Sequence, residues 1–181
     1  MFMDLKEKTL CSRLIFQGKI IDLKVEDVRL PDGSTSTREI VVHPGAVAVI
    51  AVNQNNKLIF VKQFRKAIEQ VLLEIPAGKL ESGEDPKICA IRELEEETGY
   101  RCNRIKHIMD FYSTPGFTNE KIHLYYAWDL AKKTTKTDDD EFLEVVELSI
   151  NEIRELMDTN NIKDSKTLIA MLYYLNRKDY L

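Results

Sequence analysis

Hydrophobic and polar positions alternate along the first part of the chain, and the period changes twice after that. Residues 1–8 are polar and predict no regular structure. Residues 9–16 read as a short strand that Gly18 ends. From Lys19 to Leu30, Ile21, Leu23, Val25 and Val28 alternate with Asp22, Lys24 and Glu26, the period of a strand with one slip of the kind a β-bulge makes. Pro31-Asp32-Gly33 predicts a turn, and residues 36–43 return as the second arm of an antiparallel hairpin. Residues 46–52 are apolar almost without interruption, which predicts a strand covered on both faces. Asn53 to Asn56 turn the chain into a return strand at 57–64, and a short strand at 71–75 stops at Pro76. Further strands are predicted at 105–111, 122–130 and 141–148, with a loop at 113–120 and a charged surface loop at 132–141.

Between Asp85 and Gly99 the period becomes helical. Asp85 suits an N-cap, Pro86 the first helical position and Gly99 the left-handed residue that closes a helix. Ala90, Leu94, Ile91 and Ile88 fall on one side, and Glu93, Glu96 and Glu97 on the other. Ser149-x-x-Glu152 is a capping box that opens a second helix to about Met157. Asp164 can cap a third helix, with Leu168, Met171, Leu172 and Leu175 on one side. These elements predict an α/β fold, a mixed sheet inside an α/β/α sandwich, preceded by an N-terminal antiparallel β-hairpin subdomain. No internal repeat or linker appears; residues 1–43 form the expected subdomain and 44–181 the main domain.

Composition narrows the classes. At 181 residues and 44% apolar content the chain can bury a sizeable core. Thirty acidic against 26 basic side chains, with no basic cluster, argue against a nucleic-acid partner. No long apolar run or signal peptide is evident, so no membrane association and a cytoplasmic location are expected. Cys11, Cys89 and Cys102 lack metal-ligand spacing and read as reduced bystanders. His43, His107 and His123 are scattered and read as structural, with no chemical role.

The glutamate stripe carries the candidate chemistry. Glu93 and Glu97 stand one turn apart, and like charges at that spacing cost a few tenths of a kcal/mol. A hard divalent cation such as Mg²⁺ or Mn²⁺ would reverse that sign, because it prefers crowded oxygen ligands. Arg92 can orient a glutamate by a bidentate bond. Taken alone, a run of this kind is more often a solvated acidic face.

The preceding loop alters that balance. Gly78, five residues, Glu84, seven residues, Arg92-Glu93-Leu94, one residue, Glu96-Glu97, one residue and Gly99 resemble the Nudix box at every fixed position. Tyr100 stands where the family has an aliphatic residue. The resemblance implies a Nudix fold and metal-dependent hydrolysis of a nucleoside diphosphate linked to another moiety. The flanks, Glu74-Ile75-Pro76-Ala77-Gly78-Lys79-Leu80 and residues 111–120 with Pro115, together with Arg38-Glu39-Ile40, Lys62-Gln63-Phe64-Arg65 and residues 43–48 and 140–145, resemble the ADP-ribose pyrophosphatases.

That subfamily implies that the Ala77 carbonyl and the carboxylates of Glu93 and Glu97 bind Mg²⁺, with Glu96 close by. Glu141 becomes the extra ligand or the catalytic base, with Glu144 as its substitute. Arg38 and Arg65 become phosphate and ribose clamps. Lys19, Glu39, Lys79, Thr114, Pro115, Gly116 and Glu120 complete the implied substrate contacts. A homodimer that exchanges its N-terminal hairpins is implied as well. The products would be AMP and ribose 5-phosphate. Competing expectations are hydrolysis of other nucleoside diphosphate sugars, hydrolysis of capped RNA ends, which the missing basic patch disfavours, and a non-catalytic domain that senses ADP-ribose or NAD, which the intact box disfavours.

Overall fold

The computed structural model describes residues 4–133 and 142–177. The chain forms two compact units. One takes in the chain up to Gly45 together with Tyr112–Lys121, and the other takes in Ala46–Phe111 and the chain from Ile122 onward.

The first unit is a three-stranded antiparallel sheet of β1 (Lys8–Gln17), β2 (Asp22–Arg29) and β3 (Thr35–Val42), in the order β1-β2-β3. The alternation had placed one slip in the second strand. The structure instead leaves Leu10 and Ile15 of β1 without partners, at register shifts between Thr9 and Cys11 and between Leu14 and Phe16. The β2–β3 register runs unbroken from Asp22–Val42 to Arg29–Thr35. The loop at 113–120 is fastened to β3, where the Val41 N–H donates to the Phe117 carbonyl at 2.8 Å and the His43 N–H donates to Asn119 Oδ1 at 2.7 Å.

The second unit is built on a mixed seven-stranded sheet. Its strands are β4 (Ala46–Val52), β5 (Leu58–Arg65), β6 (Gln70–Glu74), β7 (Ala77–Lys79), β8 (Tyr100–Tyr112), β9 (Lys121–Lys132) and β10 (Leu143–Leu148). The central order is β10-β5-β4-β9-β8, with β6 paired to β5 and β7 to β4. β4 and β9 pair in parallel, and β4–β5, β4–β7, β5–β6 and β5–β10 are antiparallel. The end residues of β8 and β9 that fall in the first unit's segment, Tyr112 and Lys121, mark where the chain passes between units.

β4 is buried on both faces, as its unbroken apolar run requires. Val47, Val49 and Ala51 join one cluster with Cys89, Ala90 and Leu94 of α1 (Pro86–Thr98). Ala48, Ile50 and Val52 join the other with Ile153 of α2 (Ile150–Asp158) and Ala170, Met171 and Tyr174 of α3 (Ser165–Arg177). One helix therefore covers one face and two helices the other, the sandwich that the alternation of elements predicts.

β7 had no counterpart among the expected strands. β5 pairs with β4 only at Ala51–Ile59 and Val52–Leu58. Further along β4, β7 takes up the pairing at Ala46–Lys79, Val47–Gly78 and Ala48–Ala77, after the Val49 N–H bonds to the Pro76 carbonyl at 2.8 Å. Three residues after a proline carry no periodicity to read, so only the sheet edge reveals this strand. β8 is longer than its expected 105–111 because an edge strand with exposed Arg101, Asn103 and Arg104 does not alternate.

The caps are formed as predicted. Asp85 accepts from the N–H groups of Lys87 and Ile88 at 2.8 and 3.2 Å, and Gly99 closes α1 at φ 69°. Ser149 and Glu152 form the capping box of α2, and Thr167 N–H donates to Asp164 at the start of α3. Two inward assignments are corrected: Ile88 is 58% exposed while its neighbour Cys89 is buried, and Leu172 is 52% exposed while Ala170 and Tyr174 are inside. In each helix the stripe is rotated by about one position from the aliphatic side chains, toward small or aromatic residues that fit closer to the sheet.

Leu94 is fully buried between α1 and β4. Leu94→Ala is expected to cost about 2–5 kcal/mol, through lost burial and the cavity left behind. Urea unfolding followed by circular dichroism measures it; a loss within ~0.5 kcal/mol would mean α1 is not anchored there.

Candidate active site

The site begins with the turn from β6 to β7 and the helix that passes over it. Ala77 N–H donates to Glu97 Oε2 at 3.0 Å, and Glu97 is 5% exposed. Glu97 lies three residues after Leu94 and seven after Ala90, so it shares their buried stripe. The periodicity had set it on the opposite, polar side with Glu93 and Glu96. Its carboxylate is turned toward β7, where a backbone donor receives it.

Gly78 makes room for the second carboxylate. A Cβ on Gly78 would stand 1.9 Å from Glu93 Cδ and 2.1 and 2.3 Å from its two oxygens. Glu93 thus occupies the volume that any other residue's side chain would need. The first glycine of the box is a matter of close approach between a carboxylate and a bare backbone.

Arg92 gathers the remaining acids. Its Nε and Nη2 each donate to Glu84 at 3.0 Å, and Nη1 reaches Glu93 Oε1 and Glu96 Oε2, both at 2.8 Å. The guanidinium beside Glu84 holds that carboxyl down to about 2, from an ordinary value of 4.5. Burial, with Glu84 alongside, pushes the Cys89 thiol up to about 12, so it stays protonated. Cys89, Cys102 and Cys11 are all free thiols. Three carboxylates, Glu84, Glu93 and Glu96, bond one guanidinium, a surplus of two negative charges, and Glu97 adds a further acid from the same helix as Glu93. Oxygen donors and a charge deficit of this size fit a hard divalent cation.

A second charged group stands beside the first. Glu74, 1% exposed, accepts two hydrogen bonds of 2.7 Å from Arg65 Nε and Nη2, and it also pairs with Lys166. Burial raises the Glu74 carboxyl, but the Arg65 bonds and the Lys166 charge outweigh it and leave the group below its usual range. The Glu74 bonds hold the Arg65 guanidinium firmly protonated, and the charge of Glu97 adds to this. Arg65 is therefore oriented by a buried carboxylate within electrostatic reach of the box helix. Lys79 is exposed at the end of β7, and Lys62 pairs with Glu144 at 3.0 Å. Glu141 lies outside the described residues.

In the first unit, Arg38, Glu39, Pro115 and Gly116 line one cavity of about 460 Å³ together with Glu7 and Tyr112. The Arg38 fork is engaged there: Nε donates to Glu7 at 3.0 Å, Nη2 pairs with the same carboxylate, and Nη1 donates to Ser36 Oγ at 3.1 Å. Glu120 accepts from Ser113 Oγ at 2.5 Å and stands 3.8 Å from His43 Nδ1. Thr114 closes the loop's turn by accepting from the N–H groups of Phe117 and Thr118. Lys19, exposed in the turn between β1 and β2, does not line the cavity.

Residues 42–171 match the family described as NUDIX domain. The chain belongs to the Nudix hydrolase family. Residues 7–41 match the family described as Nucleoside diphosphate sugar hydrolase N-terminal domain. Among relatives, the chain is 49% identical over 179 residues to the ADP-ribose pyrophosphatase of Bacillus subtilis, covering 98% of this chain and 96% of that one. It is 51% identical over 170 residues to the Methanol dehydrogenase activator of Bacillus methanolicus, covering 93% and 92%. A solved structure described as an ADP compounds hydrolase superposes with a TM-score of 0.81 at 20% identity, covering 95% and 93%, and establishes the likeness of fold.

Several participants escaped sequence reasoning. Glu74 was noted for its motif, but its role as the buried anchor of Arg65 depends on pairing between β5 and β6, and its partner Lys166 comes from α3, 92 residues away. His107 and His123, read as structural, approach the same carboxylate, Asp110.

Gly78→Ala should evict Glu93 from its seat. Hydrolase turnover should fall by about tenfold or more, while the far-ultraviolet circular dichroism spectrum is retained; unchanged turnover would separate Glu93 from the chemistry. The Glu84–Arg92 pair gives a pH signature. A carboxylate whose folded pKa is depressed stabilises the fold above its unfolded value, and that contribution is lost as pH falls from about 4.5 to about 2. Arg92→Met should therefore be less stable than wild type at neutral pH, with the gap closing across that window in urea unfolding midpoints.

Proposed function

We propose that this Nudix hydrolase cleaves the pyrophosphate bond of ADP-ribose to AMP and ribose 5-phosphate, using Mg²⁺. The observation that carries this reading is the pair of carboxylates seated on β7, Glu93 against Gly78 and Glu97 on the Ala77 N–H. The B. subtilis relative at 49% identity, named ADP-ribose pyrophosphatase, supports the substrate. Glu93, Glu97 and the Ala77 carbonyl would hold the ion, with Glu96 beside them; Mn²⁺ is the alternative metal. When bound, the ion neutralises diphosphate oxygens and acidifies a coordinated water.

The chain's own residues supply the rest. Glu141 is assigned as further ligand or as the base that takes the proton of the attacking water, with Glu144 as its substitute. Arg65, planar and permanently charged, is pre-oriented by Glu74 and suits a diphosphate. Arg38 would exchange its Glu7 partner for substrate. Glu39, Lys79, Thr114, Pro115, Gly116 and Glu120 are assigned to the substrate on the strength of the resemblance.

We also assign residues 1–43 as a subdomain exchanged in a homodimer, with Lys19 and Arg38 serving the second copy's substrate. Support comes from β1, which is exposed along its whole length and carries exposed Leu10, Leu14 and Phe16. Among the described residues no helix is long and apolar enough to cross a membrane, and we place the protein in the cytoplasm.

Glu97→Gln should abolish ADP-ribose turnover while leaving the unfolding transition cooperative. Wild-type turnover in that variant would remove the metal assignment. Rates on ADP-ribose against ADP-glucose and GDP-mannose separate this substrate from other nucleoside diphosphate sugars. The 51% relative favours a second reading, activation of a methanol dehydrogenase. Adding wild type and Glu97→Gln to such a dehydrogenase, and comparing its rate, tests it.

A further inference from the structure

We propose that His107, Asp110 and His123 form a second metal site, one for a borderline transition ion such as Zn²⁺, Co²⁺ or Ni²⁺. One ligand atom from each residue lies within 4.8 Å of the others. His107 Nε2 stands 2.7 Å and His123 Nδ1 2.8 Å from the same Asp110 Oδ1. His107 and Asp110 belong to β8 and His123 to the neighbouring strand β9, so two hydrogen-bonded strands fix all three positions.

The surroundings hold the rings in place. His107 meets Tyr125 edge to face, with centroids 5.4 Å apart and planes at 74°. His123 pairs in register with Val47, and the neighbouring pair Val49–Tyr125 belongs to the cluster beneath α1. The trio therefore stands on the sheet face that α1 covers. His123 keeps only 16% of its side chain exposed, whereas His107 keeps 48% and offers the ion a route from solvent.

Donor chemistry separates this site from the box. Two imidazole nitrogens and one carboxylate oxygen suit borderline ions, while the glutamate oxygens of α1 suit hard ones. Zn²⁺ binds imidazole nitrogen and carboxylate oxygen at about 2.0–2.2 Å, which in a tetrahedron sets neighbouring donors about 3.3 Å apart. The observed spacings of 2.7 and 2.8 Å need to open by only about half an ångström. Each imidazole then turns a lone pair inward and carries its proton on the other ring nitrogen. Three protein ligands leave the fourth position to water.

The test is Zn²⁺ titration calorimetry on the full chain in excess Mg²⁺, which holds the box glutamates occupied. Wild type and Glu97→Gln are expected to bind Zn²⁺ alike, and His107→Gln to bind it about tenfold or more weakly. His107 is well exposed, so that variant should fold; His123→Gln provides an independent second loss. At a hundredfold excess over the wild-type Kd, Zn²⁺ should raise the Tm of wild type by roughly 5 °C, and that of His107→Gln by about half as much or less. Equal Zn²⁺ affinity in wild type and His107→Gln, or no binding by wild type under Mg²⁺, would overturn the proposal and leave a hydrogen-bonded trio only.

Discussion

The Glu93 carboxylate lies where a Cβ on Gly78 would be, and this single close approach ties a helix to a strand too short to stand alone. β7 is three residues long and survives because β4 lends it an edge where β5 has diverged. The helix above is held by Cys89, Ala90 and Leu94 against the same strand. Between those two anchors the carboxylates of Glu93 and Glu97 have little freedom, and Glu97 is received by the Ala77 N–H. Concentrating acids in this way is unfavourable by itself. Arg92 offsets part of the cost with bonds to Glu84, Glu93 and Glu96. The remaining charge surplus is what a divalent ion would neutralise.

Arg65 and Glu74 extend the same logic. A carboxylate buried this deeply is tolerable only when paired and hydrogen-bonded. Glu74 has Arg65 in bidentate contact and Lys166, itself paired to Asp164 at 3.0 Å. The network joins β5, β6 and α3, so the orientation of an arginine near the box depends on a helix from the far end of the chain. Burial that would be a liability in the core becomes a means of pointing a cation.

The two carboxylate-bearing places differ in what they can bind. The box presents oxygen donors with a large charge deficit, whereas His107, Asp110 and His123 present nitrogen donors around one acid. One sheet face thus carries both a hard and a borderline donor set, on β7–α1 and on β8–β9.

Local chemistry made much of this protein legible from its residues. Asp85, Pro86 and Gly99 bounded α1 because caps and left-handed turns are decided within a few residues. The apolar run of β4 announced a doubly covered strand because water is excluded from both its faces. The spacing from Gly78 to Gly99 carried the resemblance to the family because a helix and a close turn impose fixed offsets. Tertiary structure alone decided which side of α1 Glu97 takes, since a backbone N–H on β7 competes there with solvent for its charge. It also decided the existence of β7, the buried role of Glu74 and the meeting of His107 with His123. Each of these depends on strand pairing or on contacts between distant segments, and pairing partners leave no periodic trace in a single chain.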